Sequence, residues 1–425
     1  MAEDKLRYQA PRGTSDVLPE DEPYWRFVRA TGERVAGLFG YRYIETPMFE
    51  DAGVWLRTNQ GTEVVDKEMY VFEDRGGDRL ALRPETTASV CRAYIEHGMA
   101  SRPQPVRLFY FAQKFRYDRP QAGRYRQHTE FGVEAIGESD ATVDAEVVDL
   151  LSTFYDMLGL EELTLHVNSI GDQSCRPAYV EALRAFYADK LNAVCADCRM
   201  RYEKNPMRLL DCKVEQCQPV IAAAPTITER LCEPCAQHFA MLRSYLDVLS
   251  IAHDVDPRLV RGLDYYTRTV FEFYPPVEGA QSVVGAGGRY DGLIELLGGQ
   301  PTPGIGFGSG IERIILNLKR QEAPVPEVGA PPVYVAHTSE PAKTAAVRVA
   351  HRLRTSGLSV IVGGGRSLKS QLRHADALGA RYVVVIGDRE LAQGEVTLRD
   401  MLDGQQRAVL EDQLPSALAG SRVSP

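Results

Sequence analysis

Two apolar segments, 106–111 (VRLFYF) and 131–136 (FGVEAI), bracket a polar connector that holds Arg116, Arg119, Arg124 and Arg126. Apolar runs of this length read as buried strands, and two of them joined by a polar, glycine-containing segment read as a long hairpin. The chain must therefore fold around a sheet that buries both arms and carries four arginines on the turn between them. Arginine is planar and permanently charged, so a strand-borne arginine with more on the adjoining loop suits a triphosphate. Glu130 and Glu134 lie four apart on the second arm, so their side chains share one face. Two carboxylates on one face suit a cationic amine or an imidazole N–H.

The rest of the chain reads around that hairpin. Residues 23–39 set Trp25, Val28, Val35, Leu38 and Phe39 on one helical face, and Gly40 stops the helix. Residues 41–47 read as a strand broken at Pro47. Val143, Val147, Leu150, Phe154 and Leu158 mark a helix ended by Gly159, and Leu163, Leu165 and Val167 alternate as a half-buried strand. Residues 175–250 turn mostly helical. Strand patterns return at 269–274 and 283–286, before GAGGRYDGL and a glycine-rich run from Gly304 that leads into a helix. Residues 321–332 hold four prolines and read as a linker. Beyond it, strands at 333–336, 358–362 and 382–386 alternate with helices at 342–355 and 367–378, a compact α/β domain. From Pro331 on, 12 Lys and Arg face 9 Asp and Glu, against a net charge of −9 for the whole chain. That sign suits a module that touches nucleic acid.

Other chemistries are excluded or left open. GIGFGSG lacks the third glycine of a dinucleotide fingerprint, and there is no Walker-A loop. Gly363–Gly365 before a helix fits an anion cradle or a tight turn. No run of about 18 apolar residues is present, and the first residues hold no apolar leader, so a cytoplasmic protein without a membrane span is expected. Six cysteines cluster: Cys195, Cys198, Cys212, Cys217, Cys232 and Cys235. The two CxxC pairs can supply four thiolates to zinc, yet Cys212 and Cys217 leave the ligand set open. Reduced, buried thiols are the other reading, and no metal ligand is assigned.

FRYDRPQAGRYRQ (115–127) and GIGFGSGIER (304–313) resemble the second and third motifs of a class II aminoacyl-tRNA synthetase, and YIETPMFE its first, with Pro47 as the motif proline. LRPETTAS (82–89) and RGLDYYTRTVFEF (261–273) resemble segments peculiar to the bacterial histidyl-tRNA synthetase family. The resemblance runs over essentially the whole chain. It implies an α+β catalytic core (1–170 and 251–322) built on an antiparallel six-stranded sheet. It also implies a helical insertion (171–250), a linker (323–332) and a C-terminal α/β anticodon-binding domain (333–425). It implies histidine–tRNA ligase activity with L-histidine, ATP with Mg²⁺, and histidine tRNA, in a homodimer. A synthetase-like regulatory subunit of ATP phosphoribosyltransferase is the competing reading.

Residue by residue, the resemblance implies that Arg116 contacts the α-phosphate, while Arg124 and Arg313 hold the β- and γ-phosphates. Thr87 falls on both the ATP and histidine sides. Glu85, Thr87 and Glu130 would receive the α-amino group. Glu134 and Tyr266 would bond the imidazole, with Tyr265 and Tyr290 beside them. Arg261 would join Arg116 as a catalytic residue, between the histidine carboxylate and the α-phosphate. Arg119 and Gln121 would read the extra 5′ guanosine of the tRNA. The family usually has Gln at position 130 and often Glu at position 118. Adjacent strand residues face opposite ways, so at most one of Tyr265 and Tyr266 is expected to enter the site.

Overall fold

The structure, a computed structural model, describes residues 8–58, 64–121, 123–262, 265–276, 283–329, 332–365 and 367–418. Ala122 of the arginine-rich connector, Leu263 and Asp264 beside the tyrosines, Ala330 and Pro331 of the expected linker, and both chain ends lie outside the described residues. The chain divides into two compact units, Met1–Pro326 and Glu327–Pro425.

In the first unit the hairpin forms as Val106–Phe115 and Gln127–Ile136, paired from Val106–Ile136 to Phe115–Gln127. It starts a run of six antiparallel strands that continues through Gly304–Gly310, Gly285–Arg289, Thr267–Tyr274 and Thr164–Ser169. The sheet does not end there. Arg42–Tyr43 pairs parallel with the hairpin at one edge, and His253–Val255 pairs parallel with Thr164–Ser169 at the other. The expectation of a wholly antiparallel six-stranded sheet is thus corrected to an eight-stranded mixed one. The reason is local: each outer long strand leaves a row of backbone N–H and C=O groups unpaired, and a short neighbour covers part of it without offering a long new edge. The strand expected at 41–47 shrinks to two residues for the same cause.

Alternation splits this sheet into two faces. Phe131, Val133, Ala135, Ile305 and Phe307 point into one core, beneath helices Glu22–Leu38, Ala141–Leu158 and Ile311–Arg320. Ala141–Leu158 is bounded as its sequence demands: the Asp140 side chain accepts the Thr142 N–H, and Gly159 turns left-handed at φ 72°. In Glu22–Leu38, Leu38 departs from the expected apolar face and is 67% exposed. Gly32 is buried instead, with the Phe111 ring packed so close that a β-carbon there would sit 2.9 Å from it.

The opposite face of Gly304–Gly310 carries Gly304, Gly306, Gly308 and Gly310. Gly306 is paired with Glu134 and Gly310 with Glu130. Residues 176–248 contribute helices Arg176–Tyr187, Ala196–Lys204, Gln218–Ala222 and Glu233–Val248 and no strand. The last of these buries Phe239, Leu242 and Leu246 in the core under the sheet. A separate three-stranded sheet of Phe49–Asp51, Arg79–Leu82 and Val71–Glu73 was not foreseen from the sequence.

The second unit is a five-stranded sheet. Val360–Val362, Val333–His337 and Tyr382–Ile386 run parallel, and Glu395–Asp400 and Gln406–Leu410 extend it antiparallel. Helices Glu340–Thr355 and Leu368–Ala377 belong to this unit; Ser339 and Ser367 cap their starts through side-chain oxygens.

Candidate functional site

Over the glycine face of the large sheet opens a cleft of about 900 Å³, lined among others by Lys114, Arg116, Arg124, Glu130, Arg261, Glu272, Glu312 and Arg313. That volume suits a nucleotide-sized ligand. Arg116 leaves the end of the first hairpin arm, and its Nε donates to the Pro84 carbonyl at 2.8 Å. Arg124 is gripped by Asp118 on the same connector, with Glu68 3.6 Å away. Arg313, in the first turn of its helix, donates to the carbonyls of Gly123 (2.8 Å) and Val283 (2.7 Å). Burial, then the neighbouring Arg124 and Arg116, lower the proton affinity of the Arg313 guanidinium. Crowded cations of this kind are relieved by a polyanion.

Arg261 pairs with Glu272, its guanidinium lies 5.5 Å from the Tyr266 ring centre, and its Nε is buried with no partner among the described residues. Burial opposes its charge, but Glu272 and Tyr266 outweigh that and hold the proton on.

The four-residue spacing of Glu130 and Glu134 produces two different environments. Glu134 is fully buried and accepts hydroxyls from Thr87 (2.8 Å), Tyr110 (3.1 Å) and Tyr290 (2.5 Å). Burial nonetheless pushes its carboxyl up to about 8. Glu85 lies at the start of helix Thr87–Glu96, accepts the Ala88 N–H at 3.2 Å, and is pushed up by burial to about 7. Glu130 instead forms a buried ion pair with Lys114.

Tyr265 and Tyr266 stand outside the strand on which the sequence reading placed them. They lie in the turn before the strand Thr267–Tyr274, so strand alternation does not separate them. Their rings sit 5.0 Å apart, and the Tyr290 ring is 6.2 Å from Tyr265. Arg119 and Gln121 are exposed on the connector.

Sequence reading missed Lys114, Glu272, Glu312 and Tyr110. Lys114 and Tyr110 have the parity of the cleft-facing hairpin residues, and Glu272 is a charge inside an apolar strand. Those are the signals that were available. Missed too was the wholly buried Arg289, which pairs with Asp144 while His238 reaches the same carboxylate at 2.8 Å. That network anchors helices to sheet and lies on the side away from the cleft. The cysteines also group otherwise than by CxxC with CxxC. Cys195 and Cys198 meet Cys212 and Cys217, while Cys232 and Cys235 meet Asp172 and Cys175.

An antiparallel sheet core with arginines from a hairpin connector and from the helix after a glycine strand, converging on one cleft, defines a class II aminoacyl-tRNA synthetase. Comparison narrows the class. The histidyl-tRNA synthetase family matches residues 13–314, and an anticodon-binding domain matches residues 332–420. The histidine–tRNA ligase of Dehalococcoides mccartyi is 54% identical over 409 residues, covering 96% of this chain and 98% of its own. That of Pelotomaculum thermopropionicum is 46% identical over 404 residues, covering 95% of each. The apo histidyl-tRNA synthetase of S. aureus superposes with a TM-score of 0.82 at 37% identity, covering 97% of this chain and 99% of its own. The chain belongs to the histidyl-tRNA synthetase family.

Proposed function

We propose that the cleft joins L-histidine to ATP, releasing pyrophosphate, as the first half of a histidine–tRNA ligase reaction. The second half moves histidine from the adenylate to the 3′ end of histidine tRNA. The observation that carries this reading is the convergence of Arg116, Arg124, Arg261 and Arg313 on one cleft, with a buried, hydroxyl-lined carboxylate, Glu134, on the same strand face as Glu130. Relatives matching at up to 54% identity over nearly the full chain favour it over the regulatory-subunit reading.

Arg116 and Arg261 would take the α-phosphate, and Arg124 and Arg313 the β- and γ-phosphates. Thr87 would stand between the two substrates. Glu85, Thr87 and Glu130 would accept the α-ammonium. Glu134 and Tyr266 would bond the imidazole, enclosed by Tyr265 and Tyr290. Mg²⁺ would enter as part of the nucleotide substrate. Glu312 suits it, because one of its carboxylate oxygens is buried without a partner among the described residues. Arg119 and Gln121 would meet the 5′ end of the tRNA, and the unit matched as an anticodon-binding domain would meet the anticodon.

The chemistry needs no general base, because the histidine carboxylate is ionised at neutral pH. Its obstacle is an anion attacking a polyanion, so catalysis rests on positioning and on charge held at the α-phosphate. The same reading assigns residues 1–170 and 251–322 to the core and 171–250 to an insertion. It places 323–332 as the linker and 333–425 as the tRNA module, in a cytoplasmic homodimer. Light scattering would report the dimer. The decisive experiment is ATP–pyrophosphate exchange with histidine, run beside proline, threonine and glycine. Exchange with histidine alone is expected. Exchange driven by another amino acid would overturn the pocket reading.

A further inference from the structure

We propose that the helical segment is stapled by two structural zinc sites, one of Cys195, Cys198, Cys212 and Cys217 and the other of Asp172, Cys175, Cys232 and Cys235. In the first set the four sulfurs lie within 4.8 Å of one another, and the Cys195 and Cys212 sulfurs are 3.8 Å apart. A tetrahedral zinc with bonds of about 2.3 Å puts thiolate sulfurs roughly 3.8 Å apart. All eight cysteines are free of disulfides. The spacing, two residues, then thirteen, then four, matches paired knuckles. The Cys195 N–H donates to the Cys217 sulfur at 3.2 Å, a bond that favours thiolate.

The second set repeats the device. The Asp172 Oδ1 lies 3.7 Å from the Cys175 sulfur and 3.9 Å from that of Cys232. Arg268 holds the other carboxylate oxygen at 3.4 Å, as outer partners of metal ligands do. Cys195 and Cys232 both stand at the cap of a helix, with φ −67° and ψ 167° in one and φ −67° and ψ 159° in the other. Each CxxC thus offers two sulfurs from a helix start, where the helix dipole favours negative charge.

Packing supplies the need. Helix Ala196–Lys204 has nine residues and a single buried one, Cys198. A helix that short is marginal without tertiary anchorage, and here the anchorage is a thiol cluster. All four positions of each set are protein ligands, so both sites are closed and structural rather than catalytic. The second also bears on the cleft. Arg176, next to Cys175, donates to the carbonyls of Gly171 (2.9 Å) and Tyr266 (2.7 Å), steadying the turn that carries the two tyrosines.

The test is metal analysis of the full chain, purified without chelator or metal-affinity resin. Two zinc ions per chain are expected, and Co²⁺ loading should give the visible bands of tetrahedral thiolate cobalt. Cys212→Ser with Cys217→Ser should remove one ion, and Cys232→Ser with Cys235→Ser the other. A folded wild-type chain that holds no zinc and gives no thiolate–cobalt spectrum overturns both sites. A folded double variant that keeps its full zinc complement overturns the site it alters. Should either variant fail to fold, the wild-type zinc count and cobalt spectrum decide: one ion per chain overturns the pair.

Discussion

Lys114 and Glu130 offer the sharpest test of how the cleft is balanced. The family's usual residue at position 130 is glutamine, and this chain places a carboxylate there with an ammonium beside it. Both side chains are nearly buried, at 9% and 11% exposure. Removing one partner of such a pair strands a charge and costs about 3–5 kcal/mol, whereas replacing both with uncharged groups is often close to neutral. Lys114→Met should therefore destabilise the first unit by about 3 kcal/mol, a little over a hundredfold in the folding constant. Adding Glu130→Gln should restore most of that loss, a coupling of about 2–3 kcal/mol. Urea unfolding followed by tryptophan fluorescence suits the measurement, because the chain has two tryptophans, Trp25 and Trp55, and both lie in the first unit. Histidine affinity of the double variant should stay within about tenfold, since a glutamine oxygen still accepts from the ammonium. Two single losses that simply add in the double variant would refute the reasoning, because the residues would then act independently.

Arg261→Ala should slow single-turnover adenylate formation by about 10²–10³ while weakening ATP binding far less; an unchanged rate would remove Arg261 from the catalytic group. Because that change strands Glu272, adding Glu272→Gln should recover part of the rate, and no recovery would show that Glu272 repels nothing. Gly306→Ala puts a β-carbon 2.0 Å from the Glu134 carboxylate, so calorimetry should find histidine binding lost and ATP binding kept. Glu85 and Glu134 rise to about 7 and about 8 in the fold, above an ordinary carboxyl near 4.5. Their contribution to stability is whole below pH 4.5 and is lost as pH climbs to about 8. Melting temperatures of the wild type and Glu134→Gln should diverge across that window, and parallel curves would contradict it.

The hairpin and the helix Ala141–Leu158 were legible because apolar periodicity and a terminal glycine mark them without help from distant contacts. Of the edge strands, Arg42–Tyr43 falls inside the strand read at 41–47, but His253–Val255 was not legible, since three residues hold no period and owe their form to the neighbour they pair with. Gly285–Arg289 was legible only at its start, where it overlaps the strand read at 283–286, because the glycines that follow show no hydrophobic alternation. The connector's arginines stood out because so much fixed charge between buried strands demands a use. Lys114 did not, although its parity with Glu130 was readable. The rule that adjacent residues diverge does not apply to Tyr265 and Tyr266, because it presumes a strand where the chain still turns. Grouping CxxC with CxxC failed similarly, as the helices fold each pair toward a different neighbour.

The glycine face of the large sheet limits how this pocket can change. The middle of its floor, the strand Gly304–Gly310, is bare main chain, and Gly308 would bring a β-carbon within 2.1 Å of Glu130 just as Gly306 crowds Glu134. That stretch, which has no side chains on this face, cannot be retuned one substitution at a time, because every available mutation adds bulk and none removes it. Under the proposed function, altered selectivity for larger or smaller amino acids would therefore be sought in the proposed walls, at Tyr265, Tyr266, Tyr290 and Thr87. The floor itself acts as a fixed gauge.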